Sequence, residues 1–381
     1  MPAPVPDLLA AIEEIARRVG RRRFGAQQTS TARLARGIRE TSRLYTSDRD
    51  PAGGVGEGRL SPAARLMFFT IADLPKLAFP LAELSRRIPA SPRPLRILDL
   101  GAGYGAQTVG LLAMLDRPGA GRPLAIDALD HDGVALEILA DLAGQVREQL
   151  GLGLAAELRT ATLDLARTDP PGQGYDLIVA GSLLNELPGP RQLPLARRLL
   201  GALDPRGLLV VLEPALRQTA RPLHRLRDAL IADPGGPRVL APCTHQGPCP
   251  MLDSPTDWCH ERRPWDPPPG IRALASASGL RRHDLRWSYL ALALEPDPRE
   301  SLPWRVVSDP LVSKGKLELF LCGPGGRLRA VRLNRDRSPG NRPFQQLRRG
   351  HLAWLGQHAL EGGRIRIGRE TEVRGEDPAV F

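Results

Sequence analysis

The sequence predicts an α/β protein built on a parallel sheet with helices on both faces. Residues 96–110 join a short apolar run, a glycine-rich turn and the start of a helical pattern. From residue 95 to residue 215, further apolar runs alternate with helical patterns, and such alternation is typical of consecutive β-α units. No apolar run reaches the roughly 18 residues that suggest a membrane span. We therefore expect a Rossmann-like sheet with additional regions before and after it.

The N-terminal region, residues 1–90, is expected to be helical. Residues 6–19 place four apolar side chains on one helix face, namely Leu8, Ile12, Ile15 and Val19. The following stretch, Arg17–Arg43, is rich in arginine and indicates either a surface helix or an arm that contacts RNA. Asp48–Gly58 has the composition of a linker, and Ser61 followed by proline marks the start of another helix.

The glycine-rich turn is the most informative motif of the predicted sheet. Asp99 ends an apolar strand, and Gly101, Gly103 and Gly105 follow at alternate positions. Glycine lets the backbone turn sharply and approach a ligand, and the next helix directs its free N–H groups toward it. The G-x-G-x-G spacing differs from that of dinucleotide-binding sites. With the acid before it, this pattern resembles motif I of class I methyltransferases, which implies S-adenosylmethionine binding.

Four more strands are predicted: Leu124–Leu129, Ala155–Leu163, Tyr175–Ala180 and Gly207–Leu212. Asp130 ends the first of these and is the candidate acceptor for the ribose hydroxyls of the cofactor. Asp127 is the alternative acceptor. A purely structural alternative is that Asp130 or Asp132 only caps the next helix. Asp164 is the candidate neighbour of the adenine. Because ligands bind at the carboxyl ends of such strands, we expect these acids at one edge.

No catalytic residue is predicted. The segment Gly181–Leu187 follows the fourth strand, where methyltransferases often carry catalytic groups. Asn185 and Glu186 could bind substrate or begin a helix. The Asn/Asp-Pro-Pro-aromatic motif of amino-group methyltransferases is absent, and no cysteine nucleophile follows the fourth or fifth strand.

The four cysteines, Cys243, Cys249, Cys259 and Cys322, all lie beyond the predicted sheet. Three of them occupy an irregular segment rich in proline, residues 233–270. The gaps of five, nine and 62 residues are longer than the usual spacing of zinc ligands. An iron–sulfur cluster, a zinc site with His245 or His260, and ordinary buried thiols all remain open on spacing alone.

The charge balance points to a polyanionic partner. The net charge is +11, with a pI of about 10.4, which favours nucleic acid. Only three of the basic residues are lysines, namely Lys76, Lys314 and Lys316, and the rest are arginines. A genomic bias toward arginine is therefore the alternative explanation of the basic composition. Residues 301–381 are expected to form a small β-rich region whose faces carry Arg327, Arg329, Arg332, Arg335, Arg337, Arg342, Arg348 and Arg349.

Three motifs together resemble one protein family. They are Pro-Cys-x5-Cys-Pro followed by Trp-Cys-His and a distant Cys-Gly, the sequence Leu-Asp-Leu-Gly-x-Gly, and the sequence Leu-Leu-Asn-Glu-Leu. This combination, over about residues 40–350, resembles the methyltransferase-like proteins of the small ribosomal subunit, mitochondrial and bacterial. The resemblance implies a [4Fe-4S] cluster on the four cysteines, with zinc as the alternative, bound S-adenosylmethionine, and association with the small subunit and its rRNA.

We expect a class I methyltransferase fold with four regions. These are the helices of residues 1–90, a Rossmann domain over residues 91–215, a continuation with the cysteine-rich segment over residues 216–300, and the basic tail. We expect an assembly or translation factor, with an active rRNA methyltransferase as the alternative. No signal peptide is recognised, so the cytoplasm is expected, as are a monomer and no membrane association.

Overall fold

The computed structural model describes residues 6–46, 60–88, 91–115, 122–152, 156–164, 168, 172–280, 283–295 and 302–378. The predicted linker at Asp48–Gly58 lies outside these ranges. None of the helices in the described ranges is both long and apolar enough to cross a bilayer.

The chain begins with helices, as predicted. They are α1 (Pro6–Gln28), α2 (Thr31–Tyr45), α3 (Pro62–Ala64), α4 (Ile71–Asp73) and α5 (Ala78–Glu83). The Ser61 hydroxyl accepts a hydrogen bond from the Ala64 N–H at 3.3 Å, which confirms the predicted start of α3. Between α3 and α4 the backbone forms a π-helical turn, Arg65–Thr70. Such turns are rare and often mark functional positions.

The central sheet has eight strands. They are β1 (Leu95–Leu100), β2 (Leu124–Asp130), β3 (Glu157–Thr162), β4 (Tyr175–Gly181), β5 (Leu203–Pro214), β6 (Arg238–Ala241), β7 (Glu261–Pro264) and β8 (Asp284–Ala293). Their order is β3-β2-β1-β4-β5-β8-β6, with β7 also paired to β8. The first five strands are parallel, whereas β8 runs antiparallel between β5 and β6. A sheet that was expected to be parallel is therefore mixed.

Helices cover both faces of this sheet. They are α6 (Ala106–Leu115), α7 (Gly133–Leu150), α8 (Gly189–Gly201), α9 (Arg217–Ala232) and α10 (Pro269–Ser278). Neighbouring residues of β1 enter different cores: Ile97 packs with the side of α6 and α7, and Leu98 with that of α8 and α9. Both are fully buried, because parallel strands covered on two faces are apolar throughout.

The arginine-rich start of the chain packs against the sheet domain. Arg22 of α1 forms an ion pair with Asp141 of α7, and Arg23 lies 3.7 Å from the same carboxylate. The apolar face of α1, including Ile12 and Val19, is buried in the core on that side. The part of this stretch that lies in α1 is helical and on the surface, as one interpretation predicts, and contact with RNA stays a prediction.

The C-terminal region forms a second eight-stranded sheet. Its strands are β9 (Trp304–Val306), β10 (Leu311–Ser313), β11 (Lys316–Gly323), β12 (Gly326–Leu333), β13 (Leu352–Leu355), β14 (Ala359–Glu361), β15 (Arg364–Arg366) and β16 (Val373–Glu376). The order is β14-β15-β12-β11-β9-β13-β16, with β10 paired to β11. Its own core contains Leu319, Phe344 and Ile365, each fully buried.

One arginine predicted on the tail surface is buried. Arg332 is 1% exposed, donates to the Asn341 carbonyl at 2.8 Å, and places its guanidinium 5.7 Å from the centre of the Phe344 ring. The prediction that it faces the solvent is wrong, because a carbonyl and an aromatic ring satisfy the cation inside the core. Of the eight arginines predicted on the faces of the tail, four are exposed: Arg335, Arg337, Arg342 and Arg348.

A buried ion pair joins the two sheets to the N-terminal helices. Arg305 of β9 pairs with Glu83 at the end of α5, and both side chains are nearly inaccessible. Arg305 also donates to the carbonyls of Pro242 at 2.8 Å and Gly350 at 2.7 Å, and Tyr289 of β8 donates to Glu83 at 3.3 Å. Three separate parts of the chain therefore meet at this pair.

Candidate functional site

The glycine turn lies at the carboxyl end of β1 and leads into α6. Its three glycines have positive φ angles of 74°, 50° and 92° at Gly101, Gly103 and Gly105. A Cβ on Gly105 would lie 2.8 Å from Leu139, so this glycine allows α7 to pack against the turn. A Cβ on Gly103 would instead approach polar atoms, Arg65 Nη2 at 3.7 Å and Asp130 Oδ2 at 4.0 Å. Gly103 is therefore the glycine whose backbone borders charged groups.

Asp130 lies beside the glycine turn, at the end of β2. Its Oδ2 accepts the Gly103 N–H at 2.8 Å, and its Oδ1 accepts the Asp132 N–H at 2.9 Å. Asp132, not Asp130, caps α7, by accepting the Ala135 N–H at 3.0 Å. Asp127 accepts the Tyr175 hydroxyl at 3.0 Å within the sheet. Of the two candidate acids, only Asp130 contacts the turn in this structure.

Asp99 is fully buried beneath the turn. Its Oδ2 accepts the Thr108 hydroxyl at 2.6 Å, while its Oδ1 has no hydrogen-bond partner among the described residues. Burial raises the pKa of Asp99 to about 6. The nearby Gln107, on α6, also has a buried Oε1 that finds no partner in the described part of the chain. Unpartnered buried acceptors are uncommon, and these two suit a ligand that donates hydrogen bonds.

An open cavity of about 770 Å³ adjoins the turn. Its lining includes Arg65, Tyr104, Asp132, Thr162 and Glu186. The Arg65 guanidinium stacks on the Tyr104 ring at 4.9 Å from its centre. The sequence alone did not single out Arg65, although its position at the start of a π-helical turn is the structural signal that identifies it.

Asp164 does not line this cavity. It is exposed and follows β3 by two residues. At the end of β4, the Asn185 N–H donates to Glu213 Oε1 at 3.2 Å, so the segment after β4 is held to the end of β5. The structure brings together Asp99, the glycine turn and Asp130. Leu163, the residue before Asp164, donates its N–H to the Asp130 carbonyl at 2.9 Å, and the role of Asp164 stays a prediction.

The four cysteines surround a second, smaller cavity. It measures about 40 Å³ and is lined by Cys243, Cys249, Cys259 and Cys322, together with His224, His245 and His260. That volume exceeds the roughly 10–15 Å³ that one water molecule requires. Cys322 Sγ lies 3.6 Å from His245 Nε2. Two distant parts of the sequence, the irregular segment and β11, therefore meet at one point.

Three of the thiols around this cavity have raised pKa values. Burial, reinforced by neighbouring cysteines, raises the pKa of Cys249 and of Cys322 to about 12 and that of Cys259 well above its usual value. Burial also lowers the pKa of His224, His245 and His260 to about 4. The imidazoles are therefore neutral at physiological pH, and a metal would have to displace protons from the thiols.

The predicted metal site is not confirmed. Within the described ranges, no three histidine, cysteine or carboxylate side chains form a group that could hold a metal ion. All four cysteines are free thiols. What the structure does bring together, around one cavity, is the four cysteines that are predicted to act as ligands.

The strand order and the glycine turn define the class of the protein. A sheet of order β3-β2-β1-β4-β5-β8-β6, with β8 antiparallel and a glycine turn after β1, is the α/β fold of class I S-adenosylmethionine-dependent methyltransferases. The chain belongs to the family described as "Mitochondrial small ribosomal subunit Rsm22", whose model matches residues 70–352. That description names a mitochondrial ribosome, so the expected cytoplasmic location is not confirmed and stays a prediction.

Solved methyltransferase structures resemble parts of the chain at low identity. Magnesium protoporphyrin IX methyltransferase from Synechocystis PCC 6803, with bound SAM, is 12% identical with a TM-score of 0.35, covering 66% of this chain and 93% of its own. The N-methyltransferase NodS from Bradyrhizobium japonicum WM9 is 14% identical with a TM-score of 0.35, covering 59% and 87%. A TehB-like methyltransferase from Corynebacterium glutamicum is 14% identical with a TM-score of 0.31, covering 56% and 87%. No curated protein sequence matches the chain.

Proposed function

We propose that this protein binds the small ribosomal subunit through its rRNA and acts in assembly of the subunit or in translation. The observation that carries the proposal is the family match over residues 70–352. The net charge of +11 and the exposed tail arginines support it, because arginine contacts to phosphates supply most nonspecific affinity for nucleic acids. In this proposal the protein is a monomer when it binds.

S-adenosylmethionine is the proposed ligand of the glycine turn. Asp99, Gly101, Gly103, Gly105 and Asp130 are the residues proposed to hold it, and Asp164 a further one at the adenine. The proposal is supported by the unpartnered Oδ1 of Asp99 and by the polar groups of Arg65 and Asp130 that border Gly103. The cationic amino group of the ligand matches the buried carboxylate, and the Arg65 guanidinium matches the ligand's carboxylate. When bound, the cofactor supplies an electrophilic methyl group.

A [4Fe-4S] cluster is proposed to occupy the cysteine cavity, with Cys243, Cys249, Cys259 and Cys322 as its ligands. Thiolates are the usual ligands of such clusters, and the four sulfurs here line one cavity. A cluster bound there would link the irregular segment to β11 and so join the two sheets. Zinc is the alternative.

We expect Cys259→Ser to lose absorbance near roughly 400 nm, where thiolate–iron sites absorb, and to weaken rRNA binding. Anaerobically purified protein with zinc and no iron would refute the cluster.

Methyl transfer to rRNA is the second candidate function. The buried acceptors beside the glycine turn favour it, because they suit a bound methyl donor. Among the described residues, none is assigned as a catalytic base. The two candidate functions use the same binding site and differ in whether methylated rRNA is formed.

A deletion strain separates these functions. We expect mature small subunits to fall relative to large subunits in the strain lacking this protein, and wild-type protein to restore them. Mass spectrometry of the small-subunit rRNA then decides between the candidates. A methyl group lost on deletion and restored by wild type but not by Gly103→Val indicates the enzyme. Normal subunit ratios together with unchanged rRNA would contradict both functions.

A further inference from the structure

We propose that one polar face of α9 is a template that holds the cysteine segment, residues 243–259, in its folded shape before any cluster binds. The face consists of Arg221, His224, Arg227 and Asp228. This inference extends the proposal of a cluster site, and the role of the template rests on that proposal. The shape of the segment itself can be tested without iron.

The cysteine segment has little regular structure of its own. One short 3-10 turn, Pro250–Leu252, is the only helix or strand assigned within it. Ordering each backbone residue costs roughly 1–2 kcal/mol in conformational entropy, and buried N–H and C=O groups need partners. The segment therefore depends on hydrogen bonds from elsewhere in the chain.

Arginines of α9 satisfy the carbonyl groups of the segment. Arg221 Nη1 donates to three carbonyls, those of Met251 (3.0 Å), Ser254 (2.6 Å) and Asp257 (2.7 Å). Arg227, which is 2% exposed, donates to the carbonyls of His245 at 2.9 Å and Gly247 at 2.8 Å. Five carbonyls spread along the segment thus converge on two side chains of one helix.

Two side chains of α9 accept hydrogen bonds from the backbone N–H groups of two cysteines. The Asp228 carboxylate accepts the Cys249 N–H, at 3.1 Å to Oδ1 and 3.0 Å to Oδ2, and also pairs with Arg227. His224 Nε2 accepts the Cys259 N–H at 2.9 Å. These contacts fix the main chain at two cysteines that line the cavity.

The sequence spacing explains how one helix does this. Residues three and four positions apart share a helix face, and positions 221, 224, 227 and 228 follow that spacing. Arg225 of the same helix is exposed and serves as a matched control. A preorganised site loses less entropy when its ligand binds, so the template favours cluster assembly by holding ligands in place.

The primary test measures hydrogen exchange in cluster-free protein, prepared and kept anaerobically under a chelator. We expect the amides of Cys249 and Cys259 to be protected in wild type and in Arg225→Gln. The protection of the Cys249 amide should fall about ten-fold or more in Asp228→Ala, and that of Cys259 likewise in His224→Leu. Asp228→Asn and His224→Gln keep an acceptor oxygen and should restore most of the protection. Unprotected amides in wild type, or protection unaffected by Asp228→Ala and His224→Leu, would overturn the template.

The second measurement follows loss of iron to a chelator after anaerobic reconstitution with ferrous iron and sulfide. We expect release about ten-fold faster from Asp228→Ala and His224→Leu than from wild type, with the Asn and Gln variants close to wild type. Equal release from all variants would overturn the inference while leaving the cluster proposal intact. A wild type that takes up no iron would refute the cluster proposal, and the exchange experiment would still decide whether the template exists.

Discussion

At the scale of single residues, the site beside β1 is defined by backbone conformation and by buried acceptors. Gly103 combines a φ of 50° with a backbone N–H bound to Asp130. Asp99 keeps one carboxylate oxygen without a partner in the described chain. The unpartnered oxygen has a cost in the ligand-free protein, because a buried charge is unfavourable, whereas glycine adopts a positive φ without strain. The cost at Asp99 is accounted for if a cationic ligand binds here.

Gly103→Val should reduce S-adenosylmethionine affinity at least ten-fold. Valine is strained at a φ of 50°, and its side chain would occupy the space next to Arg65 and Asp130. Isothermal titration calorimetry measures the effect. Gly144→Ala is the control, because a Cβ there meets nothing within 4 Å. Equal affinities of wild type and Gly103→Val would contradict the assignment of the turn.

Affinity for S-adenosylmethionine should also depend on the ionisation of Asp99. Because the pKa of Asp99 is raised to about 6, its carboxyl is largely protonated at pH 5 and ionised at pH 7. A cationic ligand prefers the ionised form, so affinity should rise between pH 5 and pH 7 by up to about ten-fold per unit below the pKa, then level off. Asp99→Asn should abolish this slope. Asp127→Asn, which alters a carboxyl bound to Tyr175, should retain it.

At the scale of elements, the long apolar strands and helices were predictable, and most of the short strands were not. β1, β2 and α7 have strong periodic patterns, whereas strands of three or four residues such as β6 and β13 carry too little pattern to recognise. The position of β8 between β5 and β6 is set by tertiary pairing. The burial of Arg332 could not be read from sequence either, because it depends on Asn341 and Phe344 folding around it.

The site follows the same division. Asp99, the three glycines and Asp130 share a strand-turn-helix context that the sequence reveals. Arg65 enters from a separate helical region, and the partners of the cysteine segment on α9 are recognisable only once the helix is placed beside it. Long-range contacts of this kind leave no local sequence signal.

The exposed arginines of the second sheet should carry part of the rRNA affinity. Replacing Arg337 and Arg342 with glutamine removes two exposed cations. We expect weaker binding to small-subunit rRNA and a log–log salt slope smaller in magnitude by about one to two, since each phosphate contact contributes about 0.7–0.9. The matched control replaces Arg191 of α8 and Arg206 of β5, which are exposed in the region of the central sheet. Equal slopes for both double variants would show that these two arginines of the second sheet do not contact the rRNA phosphates.

At the scale of the whole molecule, the buried connections between the two sheets in the described ranges include the following two. One is the cysteine cavity, which joins the irregular segment to β11. The other is the Arg305–Glu83 pair, which also involves Tyr289 of β8. The second connection requires no metal, so the two sheets should remain associated when the cysteine cavity is empty.

Arg305→Ala should destabilise the protein by about 3–5 kcal/mol, because removing one partner leaves a buried charge uncompensated. Urea unfolding of the cluster-free protein measures this loss. Arg86→Ala, which changes an exposed arginine near Glu83, should leave stability nearly unchanged. A loss of less than about 1 kcal/mol in Arg305→Ala, the range of exposed pairs, would show that this pair does not hold the molecule together.

The central claim, that this protein binds the small ribosomal subunit, is tested most directly by sedimentation. Purified protein is mixed with isolated small and large subunits from its own source and separated on sucrose gradients at low and high salt. We predict that it migrates with the small subunit at low salt, does so less at high salt, and does not migrate with the large subunit. Protein that stays at the top of the low-salt gradient, or that migrates equally with both subunits, would contradict the claim.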